Sequence, residues 1–148
     1  MTTEPAPIPV GKKAGEKIKG FVNIGLVNNG KNEILMIRRQ ETETGLDKAV
    51  LDWQFPGGEQ YYGESRFDCV KRCIKTKTGY GIEPIRQISI RMHPQFPATV
   101  VAHSANLISP IPTSSPDEVK EVKWVKIEEL AKLITSDIDP EIKKFLKI

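Results

Sequence analysis

Apolar residues dominate the run Phe21 to Val27 (FVNIGLV), and Glu33 to Ile37 (EILMI) repeats the signal after Asn28-Asn29-Gly30, whose residues tolerate positive φ. Two such runs flanking a turn predict a β-hairpin. Trp53-Gln54-Phe55 predicts a short strand ended by Pro56-Gly57-Gly58, after a polar loop over residues 40–50. Glu64 to Thr78 then changes period: Phe67, Val70 and Ile74 fall at helical spacing, no proline interrupts, and Gly79 follows where a helix favours a left-handed residue.

Strand patterns return at Ile85 to Met92, Thr99 to Leu107 and Val119 to Val125, separated by His93-Pro94-Gln95-Phe96-Pro97 and by a Pro/Ser-rich stretch from Ser109 to Asp117. Two helices are expected at the end. Ile127, Leu130, Leu133 and Ile134 mark one, and Asp139-Pro140-Glu141 gives the other an N-cap, a proline at its first position and an acidic first turn before Ile142, Phe145 and Leu146. Strands surrounding one long helix, with helices closing the chain, predict an α/β fold with a mixed sheet between helices. Residues 1–19, rich in proline, glycine and lysine, read as a flexible leader, and residues 20–148 as a single domain.

Composition narrows the function. With 39% hydrophobic and 28% charged residues and no long apolar run, the chain reads as a cytoplasmic protein without membrane contact. A formal charge of +3 does not indicate a nucleic-acid footprint, which depends on clustering. Cys69 and Cys73, one helical turn apart, do not have the spacing of a zinc site with His93 or His103 and read as core thiols, with Cys73 as a remote redox candidate beside Lys77. Tyr61, Tyr62 and Phe96 are loop aromatics with faces suited to a base, though such residues more often cap a core. Trp53 and Trp124, inside strands, read as core.

The segment Gly58-Glu59-Gln60-Tyr61-Tyr62-Gly63-Glu64, seven further residues, then Arg72-Cys73-Ile74-Lys75-Thr76-Lys77-Thr78-Gly79-Tyr80 resembles the Nudix box, in which Gly, Glu, Arg, an apolar residue and Gly recur at this spacing. Arg38-Arg39 after the hairpin, the lead-in from Trp53 to Gly58, and Glu121 to Val125 running into Glu128-Glu129-Leu130 are similar to the same family. The resemblance implies an α/β/α sandwich and an activity, hydrolysis of a nucleoside diphosphate linked to another group, that needs a divalent cation held by glutamates of the helix. Here the three family glutamates after the arginine fall on Cys73, Thr76 and Lys77. None is a carboxylate.

From Glu64 to Thr78 two acids face five bases, so the helix carries +3. A divalent ion about 4 Å from Lys77 meets a repulsion of roughly 8 kcal/mol at an effective dielectric of 20, before screening. The expectation is therefore a degenerate Nudix helix that binds a nucleotide, another phosphorylated ligand or a protein partner without efficient hydrolysis and without a cofactor. Arg38, Arg39, Arg72, Lys71 and Lys77 are the candidate anion donors, with Gly57 and Gly58 shaping the loop. The bland alternative pairs Arg72 with Glu59 or Glu64 and leaves the lysines solvated. The competing function is a Mg²⁺- or Mn²⁺-dependent hydrolase with Glu64 as the catalytic residue and Glu59, Glu64 and Glu121, or Glu118 and Asp68, as unorthodox ligands.

Overall fold

The computed structural model describes residues 2–45, 50–112, 119–134 and 137–148. Seven strands form one mixed sheet: β1 (Lys17–Asn28), β2 (Glu33–Thr44), β3 (Val50–Gln54), β4 (Gly57–Tyr61), β5 (Ile82–Met92), β6 (Thr99–Leu107) and β7 (Val119–Lys126). Helix α1 (Arg66–Thr78) lies between β4 and β5, and a short 3₁₀ turn leads from β7 into α2 (Leu130–Leu133), followed by α3 (Pro140–Leu146).

Alternation along the central strands assigns the two faces. Val27 and Leu35 pack with Val70 and Ile74 of α1, whereas Leu26, Ile34 and Met36 pack with Leu130, Ile142 and Leu146 of the C-terminal helices. Period-2 strands with apolar residues on both faces are thus covered on both sides, giving the α/β/α sandwich. Gly25 sets the spacing on the α1 side: a Cβ there would lie 2.5 Å from Ile74 Cδ1 and 3.2 Å from Val70 Cγ2.

Helix α1 obeys its sequence signals. The Ser65 hydroxyl accepts from the Asp68 amide, and Gly79, at φ 81°, ends the helix by donating to the Lys75 carbonyl.

Three local expectations are corrected. The turn after β1 forms, but its strands separate at once: β1 and β2 meet in register only at Asn28–Ile34, β1 otherwise pairing with β4 and in parallel with β6, and β2 with β3 and β7. Non-local partners win because the buried central strands β1 and β2 must pair their backbone groups along their whole length. Residues 40–44, expected in a loop, continue β2, since polar strands can extend wherever a partner is in register, and Glu43 and Thr44 pair with Leu51 and Val50; residues 46–49 of that loop, and 113–118 of the Pro/Ser-rich stretch, lie outside the described residues.

Gly57 and Gly58 do not end a strand but open β4. A Cβ on Gly57 would fall 2.0 Å from the Asn23 carbonyl oxygen, so the glycine admits the backbone of β1 rather than supplying a turn. Strand β1 begins at Lys17, and the segment before it runs along the loop that precedes α1. Ala6 exchanges backbone hydrogen bonds with Gly63 and Glu64, Glu16 accepts from Tyr62, and Thr2 accepts from Phe67.

Candidate functional site

A cavity of about 730 Å³ opens beside β1 and β4, on the sheet face covered by the C-terminal helices. Its walls include Val22 and Ile24 of β1, Trp53 and Phe55 beside β3, Phe96 and Val100. Ile134, Ile138 and Ile142 close it from the C-terminal side. Its basic lining comes from Lys17 and Lys19 on β1, Arg39 on β2, Lys77 on α1, and Arg91 on β5.

Lys77 reaches this cavity from the helix on the opposite face of the sheet because β4 begins with two glycines. A Cβ on Gly58 would stand 2.9 Å from Cys73 Sγ and 3.3 Å from Lys77 Nζ, so the missing side chain is the passage for the ammonium, which donates to the Gly57 carbonyl. Of the three positions expected to share one face, only Lys77 lines the cavity; Cys73 is buried at 4% exposure and Thr76 is exposed. The i, i+3, i+4 spacing spans an arc of the helix, and packing of α1 against the sheet divides that arc between core, cavity and solvent.

Glu64 and Arg72 stand together, outside the cavity lining. Arg72 Nε donates to Glu64 Oε2 at 2.7 Å, and its Nη2 donates to Glu64 Oε1 and the Glu59 carbonyl, both at 3.0 Å. The Tyr61 ring lies 3.8 Å below the guanidinium, and the Tyr61 amide donates to Glu64 Oε1. The carboxylate, with its side chain 14% exposed, raises the Arg72 pKa through its hydrogen bond to the guanidinium. This is the bland pairing weighed for Arg72: its donors hold the loop before α1 to the helix. Arg38 pairs with Asp52 at 3.3 Å, and Arg39 donates to Gln54 at 3.5 Å. Lys71 is exposed.

The described residues do not bring the expected carboxylates together around a divalent ion. Among the described residues no three His, Cys, Asp or Glu side chains converge as metal ligands. Glu59 accepts from the Gly20 amide at 2.9 Å, Glu64 is held by Arg72, and Glu121 is an exposed β7 residue opposite Arg38, so the proposed trio is not brought together. Asp68 is exposed, and Glu118 lies outside the described residues.

The two thiols form a coupled pair, with sulfurs 4.0 Å apart. Their contact, helped by Arg72 and Lys77, lowers the Cys73 pKa, while the same contact and burial raise that of Cys69.

One buried polar chain escaped sequence reasoning. His103 Nε2 bonds Asn23 Oδ1 at 2.8 Å, Asn23 Nδ2 donates to Gln60 Oε1 at 2.8 Å, and Gln60 Nε2 donates to the Glu64 carbonyl at 2.7 Å. Because Asn23 Oδ1 can only accept, Nε2 carries the proton and Nδ1 is left buried without a partner. Burial is the main reason the His103 pKa falls to about 4. The one available signal was Asn23, a polar residue inside an apolar strand.

No functionally curated protein matches the chain in sequence. Solved structures share its fold at low identity. A NUDIX hydrolase from Nitrosomonas europaea superposes with a TM-score of 0.69 at 13% identity over 95% of this chain and 77% of its own. A MutT protein from Methanosarcina mazei Go1 gives 0.60 at 21%, over 86% and 89% of the two chains. An ADP-ribose pyrophosphatase from Streptococcus suis 89-1591 gives 0.58 at 18%, over 74% and 75%. The NUDIX domain family model matches residues 20–146, spanning the hairpin turn, the glycine-led strand β4, α1 and both C-terminal helices, and this chain therefore belongs to the NUDIX domain family.

Proposed function

We propose that this Nudix domain binds a phosphorylated small molecule in the cavity beside β1 and β4 without metal-dependent hydrolysis. The observation that carries the reading is Lys77: at a position where the family pattern has a glutamate, an ammonium enters the cavity through the Gly57–Gly58 gap. A carboxylate there would attract a divalent ion; an ammonium supplies positive charge to a phosphate directly. Lys17, Lys19 and Arg39 add to the same field. A Nudix relative with a similar fold is named for ADP-ribose pyrophosphatase activity, which supports a small phosphorylated ligand as the class.

Calorimetric titration with inorganic pyrophosphate and with ADP, in excess EDTA, tests the reading. Binding that survives the chelator and weakens about tenfold in Lys77→Met, the loss of one charge-assisted contact of roughly 1.4 kcal/mol, is the expected result. Mg²⁺- or Mn²⁺-dependent turnover of nucleoside diphosphate derivatives, abolished in Glu64→Gln, would establish the hydrolase reading instead.

A further inference from the structure

We infer that the ligand of this cavity is a diphosphate ester of a hydrocarbon chain rather than of a nucleoside, because the walls offer apolar surface while Asp137, Asp139, His93 and one atom each of Gln54 and Glu59 are already engaged within the protein. The inference rests on the reading above and specifies the non-phosphate part of that ligand.

A nucleoside asks its site for directional partners. Its base edge and ribose hydroxyls carry donors and acceptors that lose water on burial and need replacements. The lining has few to give. Asp139 accepts from the Ser89 hydroxyl at 2.7 Å and from the Glu141 amide at 2.9 Å. Asp137 accepts from Arg91 at 2.7 Å, and Arg91 also lies 3.6 Å from Asp139. Gln54 accepts from Arg39, one Glu59 oxygen accepts from Gly20, and His93 Nδ1 accepts from the Gln95 amide at 3.0 Å.

The apolar lining is, by contrast, extensive. Val22 and Ile24 come from the middle of β1, Val100 from β6, and Ile134, Ile138 and Ile142 from the C-terminal segment, with Phe55 and Phe96 at 8% and 9% exposure. The cations come from the start of β1, from β2 and β5, and from the end of α1. An amphiphile with an anionic head and an alkyl body matches both parts. Each buried methylene adds affinity without needing a partner. The volume of about 730 Å³ lies in the range of small-molecule sites.

The test compares four probes by calorimetry in EDTA: geranyl diphosphate, ADP, inorganic pyrophosphate and geraniol. Geranyl diphosphate is expected to bind at least roughly tenfold tighter than ADP or pyrophosphate. Ile138→Asn, a partly buried wall position, should lower that affinity while leaving pyrophosphate affinity unchanged. If ADP binds as tightly as geranyl diphosphate or tighter, the hydrocarbon inference is overturned and phosphate binding stands. If neither pyrophosphate nor any ester binds, both readings fall. Geraniol binding as well as its diphosphate would show that the cations do not hold the head, overturning both.

Discussion

Glu64 and Arg72 show what single side chains contribute. The arginine's donors are shared between a poorly exposed carboxylate and the Glu59 carbonyl. Arg72→Ala removes the hydrogen-bond partner of a poorly exposed Glu64 and is expected to cost about 2–3 kcal/mol in urea unfolding, whereas Lys71→Ala, at an exposed position, should cost less than about 0.5 kcal/mol. Equal losses would mean that the pair does not hold the loop to the helix. His103 gives a pH signature. Its folded pKa, about 4, lies below the ordinary value of 6.5, so the unfolded chain takes up the proton first. Stability from the neutral ring is complete above pH 6.5 and is lost as pH falls towards 4. The stability gap between wild type and His103→Gln should accordingly shrink over that interval, and a pH-independent gap would refute the assignment. The histidine was visible in the sequence, but its burial was not, because the groups that enclose it lie far along the chain: Asn23 is 80 residues away.

At the level of elements, α1 is the part most fully written in the sequence. Its cap, apolar spacing and terminal glycine are local and cooperate within a few residues, so they survive any tertiary arrangement. Strand partners are not local. Nothing within Phe21 to Val27 says that β6 pairs with it in parallel, and the turn at Asn28-Asn29-Gly30 suggested β2 instead. Gly25 belongs to this scale, since it fixes the distance between β1 and α1. Gly25→Ala places a methyl 2.5 Å from Ile74 Cδ1 and is expected to destabilise by about 1–3 kcal/mol through overpacking. The compensating pair Gly25→Ala with Ile74→Val, which removes that Cδ1 methyl, should recover part of the loss. Absence of any recovery in a double-mutant cycle would place the strain elsewhere.

For the whole molecule, the sequence determined the family, the loop-helix-loop from Gly58 to Gly79, and the replacement of carboxylates by Cys73, Thr76 and Lys77. Tertiary structure decided what the replacement does. Thr76 meets solvent, Cys73 the core, and Lys77 the cavity, a division made by packing against the sheet and by two glycines at the head of β4. Cys73→Glu, Thr76→Glu and Lys77→Glu together are nonetheless expected to strengthen divalent-ion binding over wild type, seen as a Mn²⁺ titration by calorimetry of both proteins. A silent titration in a folded triple variant would show that the cleft has diverged beyond this helix. The distinction has one physical cause: helix period and turn chemistry are set by neighbours in sequence, whereas burial, pairing and cavity walls are set by residues that only the folded chain brings together. The charge reversal of α1 was therefore legible from the residues alone, but the single ammonium that carries it into a cavity with apolar walls was not.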